Sequence, residues 1–188
     1  VALKRCFDIA CSQIAVLVFT IFMVMVAILV KLTSPGPILY WSVRVGRNNS
    51  FFNMPKFRTM RIETPAVATH LLGNPDQWLT PIGGFLRKSS LDELPQLFSI
   101  LTGDMSIVGP RPALFNQEDL IALRTEKGVH RLPPGLTGWA QINGRDELPI
   151  PEKVKFDEWY LHNRSFFLDL QIIMQTFLKV LRKEGVTH

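Results

Sequence analysis

The sequence predicts a mostly α fold with a small β-hairpin (α+β), in which an N-terminal membrane-inserted helix leads into a compact cytoplasmic domain. Three observations carry this expectation. Residues 9 to 30 form a run of 22 positions without a charged side chain. Two apolar stretches flank Gly46 and Asn48-Asn49, as in a hairpin. From Ser90 to the C-terminus, caps, glycine stops and apolar periodicity recur as helix signals. The expected division is 1–33 for the membrane helix and 34–188 for the domain that follows.

The uncharged run from Ile9 to Val30 is rich in Val, Ile, Phe, Met and Leu. As a helix it is about 33 Å long, close to the hydrocarbon thickness of a bilayer. A core helix of a soluble protein is rarely this long and apolar on every side. A cleaved signal peptide fits poorly, because the run leads into Lys31 and Ser34-Pro35-Gly36-Pro37 with no small-residue cleavage site. Basic residues prefer the cytoplasmic side. Lys4 and Arg5 precede the run; Lys31, Arg44, Arg47, Lys56 and Arg58 follow it. A re-entrant helix satisfies both flanks, whereas a spanning helix satisfies only the stronger, C-terminal one. Either topology leaves the bulk of the chain cytoplasmic.

Ser34-Pro35-Gly36-Pro37 ends the helix. Ile38 to Trp41 and Phe51 to Met60 read as the hairpin strands, with Pro55 confining the second to an edge or a bulge. Ile62 to Leu79 reads as a long loop with a short helix, of the kind that serves as a lid. Ser90-Leu91-Asp92-Glu93 matches a capping box, so a helix is expected to about Leu101 with a stop at Gly103. Pro95 sits more comfortably if Asp92 is the N-cap. Both registers stay open, and both put the two carboxylates in a first turn. Further helices are expected over Ala113 to Lys127, Pro151 to Tyr160 and Phe166 to Lys183. Lys179, Arg182 and Lys183 suit the end of the last helix, which Gly185 can cap. That helix, with Phe156, Trp159, Tyr160, Phe166 and Phe167, suits either the bilayer surface or a packed core.

Composition narrows the class. With 47% hydrophobic and 20% charged residues among 188, disorder is excluded. A net charge of +5 suits an anionic partner. Nucleic acid is not the expected one, because the aromatics gather at the apolar C-terminal end, away from the cations, and no recognition motif is present. Cys6 and Cys11 lie in or beside the apolar segment and do not form a disulfide framework. His70, His130, His162 and His188 are scattered, so no zinc site is expected, and Gly83-Gly84 lacks the spacing of a phosphate-binding glycine loop.

The residues that carry chemistry are anionic and cationic together. Acidic residues such as Asp92 and Glu93 are ordinary in a first helical turn. In a site, one carboxylate attacks phosphorus while the other assists or binds metal, and a helix N-terminus keeps such a group ionised. Lys56 and Arg58 alternate on the second strand and so are expected on one face. Arg87-Lys88 immediately precedes the pair. Arg111 is held between Pro110 and Pro112, ready to grip phosphate oxygens. Taken singly, each cation reads as a solvated surface charge. Together they answer a physical need: at 4 Å and an effective dielectric near 20, a carboxylate meets each phosphate charge at a cost of about 4 kcal/mol. Fixed guanidinium groups and a divalent cation reverse that sign, and Mg²⁺ is the natural one for phosphate oxygens.

These stretches, in order, resemble a known family. They are Lys4-Arg5 with Asp8, Ser34-Pro35-Gly36-Pro37, Lys56-Phe57-Arg58-Thr59-Met60, Leu86-Arg87, and Ser90-Leu91-Asp92-Glu93-Leu94-Pro95-Gln96-Leu97. Gly103-Asp104-Met105-Ser106, Gly109-Pro110-Arg111-Pro112, Pro134-Gly135-Leu136-Thr137-Gly138, Ala140-Gln141, Gly144-Arg145, Asp157 and Tyr160 complete the series. The chain resembles the monotopic phosphoglycosyl transferases, bacterial sugar transferases that start glycoconjugate assembly on undecaprenyl phosphate. The resemblance implies a re-entrant membrane helix and a cytoplasmic catalytic domain with interfacial amphipathic helices, at the bacterial inner membrane. It implies a UDP-sugar donor, undecaprenyl phosphate as acceptor, Mg²⁺ at Asp92, and a ping-pong route through a phosphosugar adduct of Asp92 assisted by Glu93. Arg111, Arg87, Lys56 and Arg58 would bind phosphate or substrate, with Gln141, Arg145 and Asp157 as further carry-overs. It leaves room for a homo-oligomer. Where the family usually carries a helix-bending proline, this chain has Thr20-Ile21, and Thr20 is expected to bond the carbonyl of the preceding turn.

Overall fold

The structure, a computed structural model, describes residues 2–65, 74–144 and 148–182. Helix α1 runs unbroken from Ala2–Thr33 and ends at the expected boundary. Strands β1 (Leu39–Val45) and β2 (Phe51–Phe57) pair antiparallel, joined by a turn in which Asn48 and Asn49 take positive φ. Pro55 lies opposite Trp41. In a two-stranded sheet both strands are edges, so the missing N–H is harmless. Short helices α2 (Gly83–Lys88) and α3 (Gln96–Thr102) follow, then strand β3 (Ser106–Val108) and helix α4 (Glu118–Glu126). Strand β4 (Gly135–Thr137) pairs parallel with β3 and leads to α5 (Trp139–Ile142), α6 (Ile150–Asn163) and α7 (Phe166–Arg182). The protein is mostly helical with a small hairpin, as expected; the parallel pair was not.

α1 packs along the domain over its whole length. Near its start, Arg5 donates to the carbonyls of Ile100 and Leu101 at the end of α3, and Lys4 Nζ lies 2.6 Å from Asp169 Oδ2. Buried Asp8 accepts from Ser106 Oγ at 2.7 Å and from the Ile107 N–H at 3.3 Å, tying the helix to β3. Near its end, Met23, Val26 and Val30 pack against Phe57 and Leu86. The other face is bare: Leu17 is 77% and Ile21 71% exposed, beside Phe22, Val24, Met25 and Ile28. The helix is long and apolar enough to cross a bilayer, and this uncovered stripe is compatible with one. Thr20 Oγ1 donates to the Val16 carbonyl at 2.5 Å, the expected back-bond.

α7 has two faces. Ile172 and Asp169 are buried, while Phe167, Met174 and Phe177 stand outward on the opposite side. Its stripe of 167, 170, 174 and 177 follows the 3.6-residue period, so the helix joins a core face to a bilayer-compatible one. Phe166 meets Phe7 of α1 edge-on with ring centroids 5.2 Å apart, joining the two helices near their N-terminal ends.

Several local expectations are corrected. The helix expected from Ala113 starts only at Glu118, because Val45 N–H donates to the Ala113 carbonyl and Leu114 bridges Arg44, so this segment pairs with the hairpin. Lys179 does not serve its own helix end; it donates to the Ile142 carbonyl at the end of α5. In the Ile62 to Leu79 stretch the short helix is a 3-10 turn at Pro75–Trp78. The lid expectation for residues 66–73 and the cap at Lys183 to Gly185 lie outside the described residues.

Asp8→Ala strips acceptors from two buried donors, at about 1–3 kcal/mol for each group left unpaired. The variant is expected to lose roughly 2–3 kcal/mol of stability in detergent-solubilised unfolding. Asp8→Asn, which retains one acceptor, is expected to lose less.

Candidate active site

The segment bearing the carboxylate pair is not a capped helix. Ser90 sits in the left-handed region at φ 56°, and its side chain caps nothing. Leu91–Glu93 form one 3-10 turn, and α3 begins at Gln96 with Pro95 as its N-cap residue. Neither capping register forms. Pro95 has no N–H to donate, so it stands at the helix entrance, where none is needed. The stop at Gly103 does form, at φ 102°.

This tight turn splits the two carboxylates. Asp92 is buried beneath the surface. Glu93 faces a shallow cleft lined by Arg44, Lys56, Gln96, Arg111 and Gly135. Glu93 Oε1 accepts from Lys56 Nζ at 2.8 Å and lies 3.5 Å from Arg111 Nη2. Burial alone would raise its pKa. The charges of Lys56 and Arg111, the bond from Lys56 and the charge of Arg44 outweigh it and hold Glu93 well below the ordinary carboxylate range. Asp92 goes the other way. Its burial and the neighbouring Glu93 push it up to about 6, against the pull of Lys56, Arg87 and a backbone hydrogen bond. No α-helix starts at the pair, so the expected helix N-terminus is not the environment of Asp92; burial, not a helix dipole, is the largest influence on it.

The cations are positioned by the fold. Lys56 comes from β2. Arg87 comes from α2, and its Nε donates to Thr59 Oγ1 at 3.1 Å. α2 approaches so closely that a Cβ on Gly83 would lie 2.1 Å from the Thr59 carbonyl, so only glycine fits there. Arg111 follows the β3 end, where a Cβ on Gly135 would lie 2.1 Å from Gly109 N. Behind it, Arg124 Nη1 donates to the Arg111 carbonyl at 2.8 Å, while Arg124 Nη2 lies 2.6 Å from Asp157 Oδ2. Asp157 thus reaches the cleft only through Arg124 and the backbone of Arg111. Its carboxyl is pushed up by burial, against the pull of Arg124.

Not every candidate converges on the cleft. Arg58 is buried and donates to the carbonyls of Pro37 and Ser34 at 2.7 and 3.0 Å and to Ser34 Oγ, securing the turn after α1. It does not share a face with Lys56, because β2 ends at Phe57 and the side chain folds back under that turn. Gln141 Nε2 donates to the Leu136 carbonyl at 3.1 Å, bracing the β4 end. Arg145 lies outside the described residues. Sequence reasoning missed Arg44, whose Nη1 donates to the Pro112 carbonyl at 3.1 Å, and Arg124. It also assigned no role to Gln96, a buried residue whose Nε2 finds no partner. Such an atom costs about 1–3 kcal/mol. The only signal for Gln96 was its place in the motif, three residues after Glu93.

For a divalent cation the donor set is small. No group of three or more His, Cys, Asp or Glu side chains occurs among the described residues. Mg²⁺ takes one or two carboxylates and fills its shell with water and phosphate oxygens. Asp92, the carboxylate left short of compensation, fits that pattern; Glu93, already bonded to Lys56, fits less well.

A family model described as Bacterial sugar transferase matches residues 1–183. The chain belongs to this family. It is 42% identical over 187 residues to the uncharacterized sugar transferase EpsL of Bacillus subtilis, covering 98% of this chain and 90% of that one. It is 40% identical over 185 residues to the UDP-glucose:undecaprenyl-phosphate glucose-1-phosphate transferase of Escherichia coli, covering 94% of this chain and 40% of that one. Identity to the exopolysaccharide production protein ExoY of Rhizobium meliloti is 39% over 200 residues, 97% of this chain and 87% of that one. The chain thus spans nearly all of some relatives and about two-fifths of longer ones. The family expected from the motifs is the family found.

Asp92 also gives a stability prediction. Its folded pKa of about 6 lies above the ordinary 3.8, so the folded chain holds this proton more tightly than the unfolded one. The resulting stability is present below pH 4 and lost as pH rises through 6. Asp92→Asn removes the buried charge. In unfolding experiments without divalent metal it is expected to exceed the unsubstituted protein by roughly 3 kcal/mol at pH 8, with the difference shrinking toward pH 4.

Proposed function

We propose that this protein transfers a phosphosugar from a UDP-sugar to undecaprenyl phosphate, with Asp92 as the nucleophile. The observation that carries the reading is the asymmetry of the pair: Glu93 is bonded to Lys56, while Asp92 is buried and left with a raised pKa. A carboxylate titrating near 6 is mostly ionised at neutral pH and is more basic, hence more nucleophilic, than an ordinary one. The names of assigned relatives in Escherichia coli and Salmonella typhimurium, an undecaprenyl-phosphate galactose phosphotransferase, support the substrate classes.

In the first half-reaction an Asp92 oxygen attacks the sugar-bearing phosphorus. The P–O bond to the bridging oxygen breaks and UMP leaves with the electron pair. In the second, an oxygen of the lipid phosphate attacks the same phosphorus, and the carboxylate is released. Lys56, Arg87 and Arg111 offset the charge that gathers on the phosphoryl oxygens. Glu93, held ionised by Lys56 and Arg111, orients those cations and is a poor proton carrier in the resting site. Mg²⁺ bound by Asp92 and the diphosphate would supply further charge neutralisation.

The same reading assigns the membrane arrangement. Both ends of α1 are anchored to one domain, through Asp8 and Ser106 at one end and Val30 and Phe57 at the other. A helix crossing the bilayer would carry one end away from a domain confined to one side. A re-entrant insertion, with the bare faces of α1 and α7 in lipid and the domain on the cytoplasmic face, accounts for both anchors and for the flanking basic residues.

Intact mass after incubation with a panel of UDP-sugars and Mg²⁺, without lipid acceptor, is the test. A phosphosugar adduct with UMP release is expected, and none in Asp92→Asn. An adduct of unchanged yield in that variant would contradict the assignment.

A further inference from the structure

The reaction proposed above leaves one polar group in the cleft without a task. Gln96 is the first residue of α3, three positions after Glu93 and four after Asp92, and it is 3% exposed. It lines the same cleft as Lys56, Glu93 and Arg111. Its Nε2 is shielded from solvent and donates to nothing. Buried amides are almost always paired, and an unpaired one in a native site calls for an absent partner. Apolar side chains of similar length, such as Met, would fill the space without that penalty.

The neighbours define what the absent partner is. Three cations, Arg44, Lys56 and Arg111, border the cleft against the single carboxylate of Glu93, so its occupant is anionic, and an amide N–H needs an oxygen acceptor. Phosphate oxygens meet both requirements. A neutral donor also complements the cations: it adds directionality without charge, and it stands at the start of α3, directly after the turn that carries Asp92 and Glu93. We propose that the side-chain amide of Gln96 donates a hydrogen bond to an oxygen of the sugar-bearing phosphate held beside Lys56 and Arg111. This inference rests on the phosphosugar-transfer reading and adds a catalytic residue to it.

Gln96→Met keeps the length and removes the donor. If the amide serves the substrate, the variant should be at least as heat-stable as the parent protein, because an unsatisfied buried group has gone. Its rate of adduct formation at saturating donor should fall at least tenfold. The donor is whichever of UDP-glucose, UDP-galactose and UDP-N-acetylgalactosamine reacts with the parent. A smaller fall overturns the proposal. So does a large fall accompanied by a lower melting temperature, which would mark Gln96 as structural. Transfer to undecaprenyl phosphate is followed in parallel. If the parent transfers phosphosugar without forming an adduct, the covalent route is wrong, and Gln96 is judged by the same tenfold criterion on transfer. If no donor reacts by either measure, both proposals fall together.

Discussion

Two adjacent carboxylates, one buried and one facing a cleft, lie beside one set of cations, and among the described residues the cations pair with Glu93. That constraint organises the site. Glu93 takes Lys56 directly and Arg111 at longer range. Asp92, turned inward by a 3-10 turn, is influenced by Lys56 and Arg87 from a distance. Burying like charges side by side is tolerable only when their protonation behaviour is driven apart. Pro95 enforces the geometry, since a continuous helix through 90–101 would carry both side chains in one capped first turn. The result is one carboxylate whose pKa is held low by its pairing and one whose pKa is raised by burial, the group that the proposed reaction uses as its nucleophile.

Much of the remaining fold exists to fix cations around that pair. The hairpin delivers Lys56 and Arg44. α2, seated on Thr59 through Gly83, delivers Arg87. The β3–β4 pair, closed by glycines that admit backbone contact, delivers Arg111, and Asp157 secures it through Arg124. α1 closes one side of the assembly through Asp8 and its buried Met23, Val26 and Val30. The candidate site and the exposed apolar faces of α1 and α7 therefore share one core.

How much of this was legible in the sequence differs by element. α1 and α7 announced themselves by length and periodicity, and the hairpin by its Asn-rich turn, because those signals are local. β3 and β4 were invisible: three-residue strands have no periodicity, and their pairing joins segments far apart in the chain. The Asp92-Glu93 pair was legible as chemistry but not as geometry, since the capping-box pattern competed with Pro95 and lost. Arg58 and Lys56 look equivalent by alternation, yet Arg58 is taken up by the carbonyls of Ser34 and Pro37. Arg124 sat unremarked in a helical stretch with almost no segregation of polar and apolar faces, and nothing short of the tertiary fold could link it to Asp157 and Arg111.

The central claim is that the pair is electrostatically split, with Asp92 the carboxylate that titrates near neutrality. Isotope-edited infrared titration of the metal-free protein, with ¹³C-carboxyl aspartate and Asp92→Asn as the subtraction, reads it directly. The account predicts a protonated carboxyl band that disappears with a midpoint near 6 and is missing in the variant. A difference band whose midpoint lies at or below 4 would contradict it.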